Sequence, residues 1–239
     1  GEAQETIPAL AKEAALLVVD KGYTRPQLAW RRAVAQAATG PVIEVESDVV
    51  VPVAAASPKR EYSAATLRRK LVPLLERYLV PLKSTKLTVE SLSLTLPASR
   101  ERLDPNALLS PLAIRRDEPA LPLPAGFAAA KARLDHFCRV LLPSYAEDRN
   151  DPLKAATSML SPYLHFGQIS PLTVALRVKR EEAAKNAEFL EELIVRRELA
   201  MNYVHYTPDY DRYDALPDWA KESLAKHAKD PRPYVYTYE

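Results

Sequence analysis

Thr157, Ser158 and Ser161 bring hydroxyls together in one short run, and Pro162 follows the last of them. A serine before a proline reads as a helix N-cap with proline at the first helical position, where its missing N–H costs nothing. On that reading, unpaired backbone N–H groups and the positive end of a helix dipole face the hydroxyls. Such a place suits phosphate. The same hydroxyls suit plain capping, which is far commoner, so spacing alone leaves both uses open. The run lies inside YAEDRNDPLKAATSMLSPYLHFGQISP, residues 145–171. Gly167 can end the first short helix there, and Ser170-Pro171 starts another in the same way. Further on, Glu192 and Arg196 lie four apart and can pair across one helical turn. With Arg197 and Glu198 they read as an exposed ion-pair face, and periodicity favours that over a site.

The elements that must position these residues change character along the chain. A short helix is predicted over residues 6–16. Leu16 to Asp20 reads as a buried parallel strand. Residues 27–38 read as an amphipathic helix with Trp30 on its apolar side, followed by a strand at Val42–Val45 and an extended piece at Val49–Val53. Strand, helix and strand at this spacing predict one βαβ unit, which by itself cannot bury both faces of a sheet. Leu67, Leu71, Leu74 and Leu75 fall near helical spacing. Lys59, Arg60, Arg68, Arg69 and Lys70 are the most basic local cluster, read as a solvated helix face or as a means of steering a phosphate-bearing partner. Residues 81–126 read as a linker, with a short strand possible at Val89–Leu96. Helices are predicted over roughly 127–142, from Pro171 to about Lys185, over 187–206 and over 218–228, by apolar periodicity and helix-start signals. Phe127, Leu134, Phe137, Val140 and Leu141 mark the apolar side of the first of these.

Composition narrows the chemistry. The 239 residues are 47% hydrophobic and 27% charged, a globular balance. The net charge of +2 does not announce nucleic acid, so a DNA partner would need a local basic patch. Cys138 is the only cysteine, which excludes an intramolecular disulfide and a cysteine metal cluster. The four histidines show no short ligand spacing, so no metal is expected. Five glycines stand against 21 prolines, and neither GxGxxG nor GxxxxGK[ST] occurs. No apolar run approaches the roughly 20 residues needed to cross a bilayer, and no signal peptide is visible at the N-terminus. The expected setting is cytoplasmic, without a membrane partner, and the expected state a monomer.

The 145–171 stretch closely resembles the flavin-binding signature of DNA photolyases and cryptochromes. FLEELIVRREL, followed by Asn202 and Tyr203, resembles their substrate-facing helix. EVESDVVVPVAAASPKREYSAATLRRKL and PDYDRYDALPDWAKESLAKHAKDPRPYVYT resemble flanking segments of class II cyclobutane pyrimidine dimer photolyases. The resemblance implies an α/β plus all-α fold: the end of a Rossmann-like antenna domain (1–55), a crossover and linker (56–126), and part of a helical FAD-binding domain (127–239). On this reading the chain starts inside the first domain and stops inside the second.

The resemblance also assigns roles. Tyr145, Thr157, Ser158, Met159, Leu160, Ser161 and Phe189 match positions that hold FAD. Met159 stands where other classes often carry arginine, so a side-chain charge is missing there. Arg149, Asn150, Glu192 and Arg196 match the DNA and dimer side. Glu192 is the catalytic candidate, hydrogen-bonded to the base edge of the dimer, and Arg149 fills the space that the flipped dimer leaves. Val195 replaces a tryptophan that stacks on the dimer in other photolyases. The implied activity is light-driven repair of pyrimidine dimers in damaged DNA by electron transfer from reduced FAD. A second antenna chromophore, of deazaflavin or folate type, belongs to the same expectation. The alternatives are a cryptochrome-like photoreceptor without repair, or a fragment that does not retain flavin.

Overall fold

The structure, a computed structural model, describes residues 3–90, 93, 104, 107, 109–110 and 123–236. Helix α1 (Ala3–Leu10) leads to strand β1 (Leu17–Asp20), helix α2 (Arg25–Ala37) and strand β2 (Val42–Val45). The strands pair in parallel with Leu17 opposite Val42, as the βαβ spacing predicts. Thr24 and Gln27 form a capping box at the start of α2, and Pro26 occupies its first turn. Among the described residues the sheet has two strands, and its faces stay largely open: Val18 is 56% exposed and Ile43 50%. That departs from the buried strand expected at Leu16–Asp20. Trp30 is 46% exposed, against its predicted apolar placement. Helix α2 buries Val34 and packs mainly on α1, and among the described residues no further layer covers its far side.

Helices α3 (Val53–Ala56), α4 (Ala64–Leu71) and α5 (Leu75–Tyr78) come after β2, with Ser63 capping α4 through the Thr66 N–H. The expected extended piece at Val49–Val53 is not a strand, and Val53 opens α3. Its backbone is satisfied otherwise. Glu198 accepts the Val50 N–H at 2.6 Å and the Val51 N–H at 3.4 Å. Val89 and Glu90 are not strand, and the rest of the proposed strand at Val89–Leu96 lies outside the described residues apart from Ser93.

Helix α6 (Phe127–His136) continues into a π-helical turn at Phe137–Leu141 and a 3-10 turn at Leu142–Ser144. Leu134 and Phe137 are buried as expected, but Phe127 (60% exposed) and Val140 face outward. The extra residue in a π turn rotates the next residues about the helix axis, which removes Val140 from the α-helical stripe. Helices α7 (Tyr145–Asp148), α8 (Ser161–His165) and α9 (Pro171–Val178) come next. The helix predicted to reach Lys185 stops at Val178. Asn186 accounts for the stop: its Nδ2 donates to the Val178 and Glu181 carbonyls, at 3.4 and 2.9 Å. Helix α10 (Ala183–Leu190), a π-helical segment at Glu191–Arg196 and α11 (Arg197–Tyr206) then run on without a break. Helix α12 (Asp218–Lys226) closes the order.

One core joins these pieces. Leu67 and Leu71 of α4 pack with Leu134, Phe137, Leu160, Val174, Val178, Phe189 and Ile194. Each fully buried leucine of this kind contributes about 1.5–3 kcal/mol. The basic cluster is largely partnered. Arg68 holds Glu191, Lys70 holds Glu61, and the Arg60 guanidinium lies between the rings of Tyr62 and Tyr203. Lys70 and Ser57 hold the Glu61 carboxyl at about 2.

Polar residues spaced by four on α11 tie the crossover to the helical part. Asn202 accepts the Glu61 N–H at 2.7 Å and donates to the Lys59 carbonyl, and the Tyr206 hydroxyl donates to the Ser57 carbonyl at 2.7 Å. Glu198 completes the set and is buried, not part of an exposed ion-pair face. Burial pushes its carboxyl up to about 7, against the Val50 and Val51 N–H groups, which favour the ionised form. Between the ordinary value near 4.5 and about 7, the folded chain keeps a proton that the unfolded chain releases. This contribution to stability is therefore complete below the lower value and is lost as pH rises through about 7. The span corresponds to roughly 3 kcal/mol. Glu198→Gln, which keeps an acceptor for Val50, is expected to flatten the fall in stability between pH 5 and pH 8. Urea denaturation at both pH values measures it, and an equal fall in parent and variant would exclude Glu198 as its source.

Candidate functional site

The loop between α7 and α8 is built from short turns. The Leu153 N–H donates to Asp151 Oδ1 at 2.9 Å, Lys154 pairs with Asp148, and Ala156 is buried. At Thr157–Ser161 the chain is held from both sides. Arg133 of α6 donates from Nε to the Ser158 carbonyl (2.8 Å) and from Nη2 to the Thr157 carbonyl (3.3 Å). Leu160 is 1% exposed and anchors the loop in the core. Between these anchors Met159 takes φ of 54°, the left-handed region that a side chain seldom occupies. Such a conformation persists where its surroundings impose it, and it gathers at ligand sites.

Ser161 is not the N-cap that its spacing predicts. It is the first residue of α8, Leu160 stands at the cap with helical dihedrals, and the Leu160 carbonyl accepts the Leu164 N–H. A capping serine needs extended backbone, which Ser161 lacks. Ser158 Oγ takes the Leu160 N–H instead, at 3.3 Å. The Thr157 and Ser161 hydroxyls make no hydrogen bond among the described residues. Ser170 does cap α9, accepting the Thr173 N–H at 3.0 Å, and Gly167 ends α8 at φ of 63°. The Gln168 N–H reaches back to the Tyr163 carbonyl at 2.8 Å there.

A cavity of about 620 Å³ opens beside this loop. Thr157, Ser158, Met159, Leu160 and Ser161 form one side. Tyr145, Phe189 and Leu193 give an apolar and aromatic side, and Glu192 and Arg197 bring charge. Phe137 lies behind the aromatic side, with ring centres 5.6 Å from Tyr145 and 4.6 Å from Phe189, while Tyr145 and Phe189 meet edge-on at 5.4 Å. Burial pushes the Tyr145 hydroxyl up, so it stays protonated.

Glu192 sits in the π-helical segment. The wider turn there brings residues five apart into line, and Arg196 accordingly meets Glu191 (3.6 Å), not the predicted Glu192. Arg68 also grips Glu191 through Nε at 2.9 Å, which lowers the Glu191 carboxyl and fixes the segment against α4. Glu192 is left to face the cavity, where its Oε1 accepts from Arg149 Nη1 at 2.8 Å. That bond raises the Arg149 pKa, and Arg149 also reaches Glu188 at 3.4 Å. The buried Arg149 Nε has no hydrogen-bond partner. Arg149 reaches Glu192 from outside the cavity lining, and Asn150 and Arg196 are exposed and do not line it either.

Sequence reasoning missed Leu193, Arg197 and Arg133. Leu193 is four residues after Phe189, a spacing that places both on one helix face. Arg197 has no such signal. Its guanidinium is held by the Asp48 carbonyl and Oδ1, a contact between residues far apart in the chain. Among the described residues, no cluster of His, Cys, Asp and Glu could hold a metal, and no helix is long and apolar enough to cross a membrane.

Several known proteins similar to this chain in sequence share one name, and others are similar to it in fold. The deoxyribodipyrimidine photo-lyase of Methanothermobacter thermautotrophicus is 44% identical over 227 residues, which are 95% of this chain and 49% of that protein. The enzymes of the same name from Arabidopsis thaliana and Oryza sativa are 36% and 39% identical, over 100% and 98% of the chain and 51% and 49% of theirs. The fold is similar to a bacterial class III photolyase from Agrobacterium tumefaciens (TM-score 0.61, 20% identity, 95% of this chain and 50% of that one). It is also similar to a Synechocystis cryptochrome (TM-score 0.58, 18% identity, 86% of this chain and 45% of that one). No protein-family model matches. Over nearly its whole length the chain matches deoxyribodipyrimidine photo-lyases in sequence, it is similar in fold to a photolyase and a cryptochrome, and it spans about half the length of the relatives it matches.

The residues present fit the flavin dinucleotide that this resemblance implies. Unpartnered Thr157 and Ser161 hydroxyls suit a phosphate, and the Tyr145–Phe189 side suits an apolar ring system.

Proposed function

We propose that this chain supplies the phosphate-binding wall and the lesion-facing side of the FAD pocket of a deoxyribodipyrimidine photo-lyase of class II type. The observation that carries this reading is the single cavity in which the Thr157–Ser161 hydroxyls stand with the Glu192 carboxylate. Bound and reduced, FAD would supply an electron to the dimer on absorbing light. The chain's own residues do the rest. Thr157, Ser158 and Ser161 donate to the cofactor's phosphates, and Tyr145 and Phe189 exclude water from its other side. Glu192 accepts a hydrogen bond from the N–H edge of the dimer, placing a fixed polar group where charge develops. Arg149 holds Glu192 aimed until the lesion arrives, and then fills the space it vacates. The partner is damaged DNA whose dimer leaves the stack, a step that damage itself makes cheaper. A second antenna chromophore of deazaflavin or folate type and a monomeric state belong to the same reading.

The test is flavin binding. The purified protein, titrated with FAD and passed through gel filtration, is expected to elute yellow with the flavin bands of a bound cofactor. A folded protein, judged by its circular dichroism, that elutes colourless at saturating FAD would overturn the pocket reading.

A further inference from the structure

Arg133 does not line the cavity, yet it touches the loop that does. It rises from α6 beside Leu134 and three residues after Ala130, both buried, so its base is fixed by the core. Its guanidinium bonds two successive carbonyls, Thr157 and Ser158. In a trans peptide the C=O and the following N–H point in opposite directions. A grip on these two carbonyls therefore turns the Ser158 and Met159 N–H groups away from Arg133. No group among the described residues accepts either of them. Left-handed Met159 followed by Leu160 at φ −90° and ψ −12° adds a turn of the Met159 N–H toward that of Ser161, the Leu160 N–H between them being taken by Ser158 Oγ. A left-handed residue next to a right-handed one curls successive N–H groups into a concavity that favours anions. The guanidinium also polarises the peptide groups it bonds, which strengthens their N–H groups as donors.

We propose that Arg133 is a positioning residue. It holds the Ser158 and Met159 amides toward the diphosphate of the cofactor and so sets the preference of this site for a flavin carrying a diphosphate over one without phosphate. This role rests on the flavin reading of the same cavity. It also supplies what the side chain of Met159 does not: the positive charge acts from behind the loop, through the peptide groups.

The experiment compares FAD and riboflavin as ligands of the parent, Arg133→Gln and Arg133→Lys, by flavin fluorescence titration. Arg133→Gln is expected to weaken FAD binding by about tenfold to a hundredfold, as for loss of charge-assisted hydrogen bonds. Riboflavin binding should change by less than about twofold, and Arg133→Lys should recover part of the loss. In parallel, hydrogen exchange at the Ser158–Met159 amides should slow when FAD binds the parent and not when it binds Arg133→Gln. Unchanged FAD affinity with unchanged amide protection would overturn the proposal while leaving the flavin site standing. Equal weakening of FAD and riboflavin would also overturn it, since that marks a loosened fold. A parent protein that binds no FAD would bring down the flavin reading itself.

Discussion

Replacing Glu192 with alanine is expected to lower light-driven dimer repair by about tenfold to a hundredfold, the range seen when a preorganised polar group is removed from a site of developing charge. Bound flavin should be nearly unchanged. The geometry separates the two effects. Glu192 is the only carboxylate lining the cavity among the described residues, and it belongs to a different element from the Thr157–Ser161 loop. Its orientation does not depend on itself alone. The π-helical segment turns Arg196 to Glu191, and Arg68 locks Glu191, so Glu192 faces the cavity and Arg149. Removing the carboxylate leaves Arg149 with Glu188, a partner 50% exposed. Glu192→Gln is the control for shape, since it keeps the volume and gives up the charge. Repair per bound flavin, measured under continuous light, checks the prediction. Full repair by a flavin-loaded Glu192→Ala protein would take Glu192 out of the mechanism.

Phe137→Ala carries the largest expected effect on stability, about 3–5 kcal/mol. Phe137 is 0% exposed and touches both Tyr145 and Phe189. Its removal leaves a void behind both aromatic walls, and with it go an edge-on contact to Tyr145 and a tilted one to Phe189, aromatic pairs worth about 0.5–1.5 kcal/mol each. The loss should appear in urea unfolding as a lower midpoint with little change in slope. Because the void lies behind the walls, FAD should also bind less tightly to the folded variant. Phe137→Leu, which refills part of the volume, should recover much of the stability. A loss below about 1 kcal/mol for the alanine variant would show that the aromatic cluster is not what backs the cavity.

How much of this was legible in the sequence depends on how far apart the cooperating residues lie. The β1–β2 pair and the cap at Ser170 were legible because their signals are local: alternation of strand, helix and strand, and serine before proline. The same serine–proline signal misplaced Ser161, because the buried Leu160 drew the helix start back by one residue. Thr157 to Ser161 could be grouped because they are contiguous. Arg133, Arg197 and Glu198 could not, since their partners lie 24 to 149 residues away in the chain. The π-helical turns are the other source of error. A periodicity of 3.6 residues put Val140 inside and paired Glu192 with Arg196, and one extra residue per turn reversed both. Val18 on β1, 56% exposed, was expected to be buried, because a strand run says nothing about how many layers cover it.

On the proposed function, this cavity holds a reduced flavin against a DNA lesion. This is tested most directly by mixing the flavin-loaded, reduced protein with an oligonucleotide carrying one thymine dimer and following absorbance at the wavelength of intact thymine. Thymine absorbance is expected to recover under blue light and not in the dark. Glu192→Ala at equal flavin content is expected to keep only a residual rate, about tenfold to a hundredfold lower. A protein that retains flavin, binds the damaged oligonucleotide and returns no thymine under light would contradict the proposed function.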